Sequence, residues 1–190
     1  MKQLRLIASI LWTMVVAFAA PPAFDLRDTA GAHHTAKEWP GKKAVVLFFI
    51  MTDCPLSNGY VPELNRIRAD YEKQGVAVYA VHADPTIGDA AVRKHADEFG
   101  YTFPVLLDPK LTLAHVTGAT TVPEVAVFSA AGELRYLGRI DNRMEDITRR
   151  RTVATQHELR DALDAMIAGG VPKLTRTRAV GCSINLEGIK

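Results

Sequence analysis

Cysteine is scarce in this sequence, since Cys54 and Cys182 are the only two among 190 residues. At most one disulfide can therefore form within the chain. Neither a Cys-x-x-Cys nor a Cys-x-x-x-Cys motif occurs, so no two sulfurs lie close together in the sequence. Chemistry that needs two thiols must bring together residues that are far apart along the chain.

An excess of charge of either sign is also missing. Lys and Arg number 23 against 21 Asp and Glu, which gives a formal net charge of +2. Two of the positive residues, Lys2 and Arg5, lie at the N-terminus. The balanced remainder gives no argument for nucleic acid or an anionic membrane as a partner.

Long hydrophobic runs are absent too. The apolar stretch near the N-terminus holds about fifteen residues, whereas a helix that spans a membrane needs roughly 20. A basic start and the small residues Ala17 and Ala19 are typical of a secretory signal peptide. We expect a signal peptide over residues 1–19, one globular domain over 20–170 and a tail over 171–190. The protein is then periplasmic or secreted, with no stable membrane span after cleavage.

The most informative stretch runs from residue 44 to residue 65. The apolar run Ala44–Ile50 predicts a strand buried on both faces. Cys54 follows, and Pro55 with the candidate caps Ser57 and Asn58 predicts that a helix begins close to the sulfur. Backbone N–H groups and the positive end of the helix dipole favour a thiolate at such a place. We therefore expect Cys54 to be exposed and its pKa to be lowered.

Strands and helices alternate along the rest of the chain. The patterns predict a short strand near Phe24, strands at 76–81, 105–107, 125–128 and 134–138, and helices at 86–99 and 109–116. Residues 155–158 predict a capping box that opens a final helix. This order indicates an α/β protein whose central mixed β-sheet is flanked by helices.

Three features resemble the thioredoxin superfamily. Cys54-Pro55-Leu56-Ser57 is similar to its Cys-x-x-Cys motif with serine in place of the second cysteine, and Pro62 falls where the family's helix is kinked. Thr121-Val122-Pro123-Glu124 resembles the family's cis-proline loop. The wider layout is similar to secreted bacterial redoxins of the alkyl hydroperoxide reductase and thiol-specific antioxidant (AhpC/TSA) branch. The resemblance implies a thioredoxin-like fold with an N-terminal β extension and a C-terminal tail, and a cis Val122–Pro123 bond.

The resemblance also implies a thiol-dependent oxidoreductase. Cys54 would attack a disulfide of a partner protein or a small peroxide, Pro123 would shape the substrate groove, and an external thiol would supply electrons without a cofactor. Ser57 cannot form a disulfide, so Cys182 is the internal candidate for the resolving cysteine. A structural disulfide and a partner-directed role remain open for Cys182.

Peroxide chemistry has weaker support in the sequence. The peroxiredoxin pattern Pro-x-x-x-Thr-x-x-Cys has Leu47 and Met51 in place of its proline and threonine here. Thr52 lies one position from the threonine and is a candidate donor to bound oxygen, with Arg139 as a candidate neighbour.

Two other functions are compatible with the sequence. The first is a non-catalytic envelope module whose two cysteines are permanently joined. The second is a copper chaperone in which Cys54, Cys182 and a histidine hold a soft ion. We expect His33 and His34 to be solvated or structural, and the arginine-rich segment 141–154 to be a solvated loop or an anion or partner contact.

Overall fold

The computed structural model describes residues 21–187, so the expected signal peptide over residues 1–19 lies outside the described part of the chain. The strands are β1 (Asp25–Arg27), β2 (His33–Thr35), β3 (Ala44–Ile50), β4 (Val76–His82), β5 (Val105–Leu107), β6 (Thr121–Val122), β7 (Glu124–Phe128), β8 (Leu134–Gly138) and β9 (Cys182–Ser183). The α-helices are α1 (Pro55–Tyr71), α2 (Asp89–Phe99), α3 (Thr112–Thr117) and α4 (Glu158–Ile167).

The central sheet has five strands in the order β5-β4-β3-β7-β8. β3 pairs in parallel with β4, and β4 with β5, whereas β7 and β8 complete the sheet in antiparallel orientation. The predicted mixed sheet flanked by helices is therefore confirmed. β1 and β2 form a separate antiparallel hairpin at the N-terminal side, and β6 and β9 form a third, two-stranded sheet.

β3 is the centre of the hydrophobic core. All seven of its residues are buried. Successive side chains of a strand point to opposite faces, and accordingly Val46 and Phe48 belong to one core cluster while Val45 and Leu47 belong to the other. Strand β3 thus ends at a fixed place between two packed layers, just before Cys54.

The start of helix α1 differs in detail from the prediction. Cys54 itself is the N-cap, with an extended backbone (φ −90°, ψ 104°), and Pro55 begins the helix. The predicted caps Ser57 and Asn58 are wrong, because both lie inside the helix. Proline is favoured in the first turn of a helix, because an N–H group at that position has no hydrogen-bond partner within the helix. Pro62 lies within the helix, as the resemblance implied.

The predicted capping box at 155–158 is also wrong. Helix α4 begins at Glu158, and its N-cap residue His157 makes no side-chain capping bond. The Thr155 hydroxyl instead accepts a hydrogen bond from Asn142, and the Glu158 carboxylate binds Arg139. Thr155 and Glu158, which would have formed the capping box, therefore bind side chains from an earlier part of the chain.

The residues after α4 are bound to the sheet. The backbone N–H of Leu137 in β8 donates to Thr175, and that of Thr177 donates to Leu137. Gly138 allows this approach, since a Cβ there would lie 2.2 Å from Oγ1 of Thr177. The chain then reaches β9, which pairs with β6 beside Pro123.

Candidate active site around Cys54 and Cys182

Cys54 and Cys182 meet although 128 positions separate them. The Cys182 thiol donates to Sγ of Cys54 across 2.7 Å, and both cysteines are free thiols. Cys54 Sγ also lies 3.4 Å from the carbonyl oxygen of Val122. Three elements position the pair: the end of β3, the start of α1 and the short sheet of β6 with β9.

The two thiols have pKa values shifted in opposite directions. Burial raises the pKa of Cys54, but hydrogen bonds from the Cys182 thiol and from the backbone N–H of Ser57 outweigh it, so the pKa is lowered from 9.0. Burial and the interaction with the Cys54 sulfur raise the pKa of Cys182. Cys54 is therefore the more acidic of the two thiols.

The predicted exposure of Cys54 is wrong. Its side chain has no exposed surface, whereas Cys182 is partly exposed. The tail contributes to this burial, because β9 pairs with β6 and places Cys182 against the sulfur, and Cys54 also belongs to a hydrophobic core cluster. A molecule that is to reach Cys54 must therefore move at least one of the groups that cover it, and Cys182 is one of these groups.

The residues considered for peroxide chemistry do not assemble around the sulfur. Thr52 is half-buried, and its backbone carbonyl accepts a hydrogen bond from Asn58. The Arg139 guanidinium is bound to Glu158, with Nε 2.8 Å from Oε1, and to Gln156. Within residues 21–187, neither side chain has a hydrogen bond to Cys54.

Pro123 follows the strand residue that contacts Cys54. The Val122–Pro123 peptide bond is cis. Pro123 lines a small cavity together with Tyr60, Met144 and Val180. The proline loop thus lies between the Cys54 sulfur and Val180 of the tail.

Several buried polar groups close to the N-terminus of α1 were not found by sequence reasoning. Ser57 Oγ, His82 Nε2, His95 Nδ1 and Tyr101 OH are buried without a hydrogen-bond partner. The Cys54 sulfur contributes to a raised pKa of Tyr101, next to the larger effect of burial. These residues are scattered along the sequence, and only the fold brings them together.

Across residues 21–187, no group of three or more His, Cys, Asp and Glu side chains could hold a metal ion. His34 binds carboxylates instead, with Nε2 3.1 Å from Asp28 and Nδ1 3.0 Å from Glu38. The two sulfurs therefore have no histidine, aspartate or glutamate as a third metal ligand in this part of the chain.

An open groove of about 1350 Å³ lies between the segment 142–151 and the tail residues 176–183. The longer segment 141–154 was predicted to be a solvated loop or an anion or partner contact, and its first two residues, Asp141 and Asn142, are buried rather than solvated. Farther along, Arg149 pairs with Asp146, and Arg151 pairs with Glu145. The groove carries both signs of charge, and Gly181 and Ser183 beside Cys182 form part of its wall.

No helix in the part of the chain that the structure describes combines the length and apolar character needed to cross a membrane.

Comparisons with known proteins agree with the fold. Residues 18–137 match the AhpC/TSA family. The protein named thiol-disulfide oxidoreductase ResA from Geobacillus kaustophilus is 30% identical over 72% of this chain and 77% of its own length. Among solved structures, a hypothetical protein from Sinorhizobium meliloti is 26% identical with a TM-score of 0.76, covering 91% of this chain and 96% of that one. A conserved uncharacterized protein from Geobacillus kaustophilus is 25% identical with a TM-score of 0.77, covering 94% and 96%.

Proposed function

The chain belongs to the AhpC/TSA family, and from that premise we propose that it is a thiol-disulfide oxidoreductase whose working pair is Cys54 and Cys182. The observation that carries the proposal is the 2.7 Å contact between the two sulfurs. A thiol so close to a second thiol of lower pKa can form and break a disulfide with little movement. The name of the Geobacillus kaustophilus relative supports the same reaction class.

In the reducing direction, the Cys54 thiolate attacks one sulfur of a disulfide in a partner protein. The partner's S–S bond breaks, its second sulfur leaves as a thiolate, and a mixed disulfide joins the partner to Cys54. Cys182 then gives up its proton and attacks Sγ of Cys54, which releases the partner's other sulfur. The partner is left reduced by two electrons, and this chain carries a Cys54–Cys182 disulfide that an external thiol reduces again.

We favour a disulfide over a peroxide as the substrate because of the neighbours of Cys54. A peroxidase must polarise the peroxide bond as the thiolate attacks it. The Arg139 guanidinium is already bound to Glu158 and Gln156, and Thr52 has no side-chain hydrogen bond to the sulfur. A cis-peptide loop and a second thiol, by contrast, lie directly against Cys54.

We further propose that the reaction takes place in the periplasm or outside the cell. The basic and apolar features of residues 1–19 support this location, as does a cysteine pair suited to an oxidising compartment. The proposed limits of the globular domain remain 20–170, with Cys182 supplied by the tail.

The test is reduction of insulin by dithiothreitol in the presence of the protein. Wild type should accelerate the reaction, and Cys54→Ser should abolish the acceleration. Cys182→Ser should keep the first step and accumulate mixed disulfides that mass spectrometry detects, while Ser183→Ala should behave as wild type. Full activity in Cys54→Ser would refute the proposed site. A Cys54–Cys182 bond that resists mild reductant would indicate a non-catalytic module instead.

Hydrogen peroxide provides a second measurement on the same variants. We expect Cys54 to be oxidised slowly, without the rapid formation of sulfenic acid that peroxidases show. Rapid sulfenic acid formation in Cys182→Ser would identify a peroxide as the substrate and contradict the preference for disulfides.

A further inference from the structure

We propose that the groove between the segment 142–151 and the tail residues 176–183 is a docking site for a partner protein, and that it binds an extended segment in which acidic and aliphatic residues alternate. Two arginines of the tail and an exposed isoleucine of the segment 142–151 line this groove and define its occupant. Binding at the groove does not depend on the proposed thiol chemistry, because both sulfurs lie outside its lining.

The carboxylates of the groove already have partners within the molecule. Asp146 pairs with Arg149 across 2.6 Å. Glu145 pairs with Arg151 across 2.7 Å. The third carboxylate, that of Glu124, is buried and accepts a hydrogen bond from a backbone N–H. Within residues 21–187, none of these carboxylates forms an ion pair with an arginine of the tail.

Arg176 and Arg178 therefore carry the charge that a partner can neutralise. Both are exposed and line the groove, and neither has an ion pair in the described part of the chain. Thr177, between them, directs its hydroxyl to Tyr136, with 2.6 Å between the two oxygens. Side chains two positions apart in an extended chain project from the same side, with their Cα atoms about 7 Å apart. Carboxylates two positions apart in an extended partner segment have the same spacing.

The backbone that carries these arginines is fixed to the central sheet. The N–H of Leu137 donates to the carbonyl of Thr175 across 3.0 Å, and the N–H of Thr177 donates to Leu137 across 3.1 Å. Leu137 is itself buried in β8. A backbone that is already ordered loses less conformational entropy when a partner binds. The two arginines are thus held in place before an acidic segment arrives.

The segment 142–151 provides an apolar contact to the same groove. Ile147 lines the groove and is 63% exposed. Its turn is ordered by Asp146, whose carboxylate accepts backbone hydrogen bonds from Thr148 and Arg149. An aliphatic side chain that packs against Ile147 removes apolar surface of both from water. Successive side chains of an extended segment point to opposite sides, so acidic residues can face the tail while aliphatic residues face Ile147.

The groove lies on the side of β6 and β9 that faces away from the sulfurs. Thr121 and Ser183 line the groove, whereas their chain neighbours Val122 and Cys182 are not part of its lining. Cys182 instead lies against Cys54. A partner in the groove therefore contacts the strand that carries Cys182 without covering either sulfur.

The first test measures fluorescence anisotropy of labelled peptides with the full chain. The probe is fluorescein-labelled Gly-Ser-Asp-Leu-Glu-Val-Asp-Ser-Gly. It should bind about tenfold more tightly than Gly-Ser-Asn-Leu-Gln-Val-Asn-Ser-Gly, which lacks the three carboxylates, and added salt should weaken its binding. Gly-Ser-Asp-Asp-Glu-Leu-Val-Ser-Gly has the same composition without the alternation and should bind about threefold more weakly than the probe.

The second test changes the groove. Replacing both tail arginines, as Arg176→Gln with Arg178→Gln, should weaken binding of the probe about fivefold to tenfold. Ile147→Ser should weaken it about threefold. The matched control is Lys42→Gln with Lys43→Gln, which removes two exposed positive charges next to the start of β3 and should leave binding unchanged. Urea unfolding should be the same in all these variants, because the replaced side chains are exposed.

The outcomes that would overturn the docking site are distinct. Equal binding of the amide peptide would exclude recognition of carboxylates, and equal binding of the rearranged peptide would exclude the alternating pattern. A loss of binding in the lysine control as large as in the arginine variant would show unspecific attraction between charges. Displacement of the probe by inorganic phosphate at the same concentration would identify a site for small anions instead of a protein segment. Failure of the protein to reduce insulin would refute the proposed function and would leave these binding results unaffected.

Discussion

Replacement of His82 by glutamine should make the stability of the protein less sensitive to acid. His82 ends β4 opposite Ile50 of β3, and its side chain is 3% exposed with Nε2 unpaired. Burial lowers the pKa of His82 from 6.5 to about 4, although nearby Asp84 and Asp53 act in the opposite direction. The imidazole is therefore neutral in the folded protein over most of the acidic range.

The pKa difference sets the size and direction of the effect. Between the unfolded value of 6.5 and the folded value of about 4, the unfolded chain binds a proton that the folded protein does not. Stability therefore falls as the pH is lowered from about 6.5 to about 4. The loss from this one group is about 3 kcal/mol, because each pKa unit corresponds to about 1.4 kcal/mol.

The measurement is urea unfolding of wild type and His82→Gln at several pH values across this range. Glutamine carries no charge, so the variant should lose about 3 kcal/mol less than wild type on acidification. Buried Glu124 and Asp108 also titrate differently in the two states, and their contributions cancel in the comparison. His33→Gln, at an exposed position, serves as the control. Equal acid sensitivity in His82→Gln and wild type would refute a neutral, buried His82.

Three further substitutions test other parts of the structure. Gly138→Ala should bring a methyl group against Thr177 and lower the free energy of unfolding by about 1–3 kcal/mol. Because the tail is loosened, alkylation of Cys54 should also become faster. An unchanged rate of alkylation would contradict the contact. Gly59→Ala, where a Cβ meets nothing within 4 Å, should instead raise the free energy of unfolding by about 0.5–1 kcal/mol, and a decrease would show that the helix is distorted there. Arg139→Ala should lower the free energy of unfolding, measured in urea, by about 3–5 kcal/mol, because it leaves buried Glu158 unpaired. Recovery of stability when Glu158→Gln is added would show that the loss comes from the broken ion pair and not from lost packing.

The parts of the fold that local patterns specify were predicted well. The strand Ala44–Ile50 and the strand Val105–Leu107 agree with the structure, and the helix after Cys54 begins at the next residue. An unbroken apolar run predicts a strand because both faces of a central strand are buried. Helix α2 ends at Phe99 as predicted, where Gly100 adopts a left-handed backbone, although the helix begins at Asp89 rather than at residue 86.

The errors arise where distant residues decide the local structure. Ser57 and Asn58 are common caps, but the extended backbone of Cys54 and the proline after it place the helix start earlier. Exposure of Cys54 was predicted from its place between a strand and a helix. No local pattern shows that the tail crosses the sulfur, because that arrangement depends on the free edge of β6 and on the room that Gly181 leaves.

The 128-position separation of Cys54 and Cys182 has a mechanical consequence. When the two sulfurs are bonded, most of the folded chain becomes a covalent ring that is closed between the start of α1 and the short sheet of β6 with β9. A force that pulls on residues before Cys54 and after Cys182 would then be carried by the S–S bond, while the ring between them stays unloaded. In the dithiol form the same force would open the short β6–β9 contact first. The redox state would therefore determine which part of the molecule resists stretching.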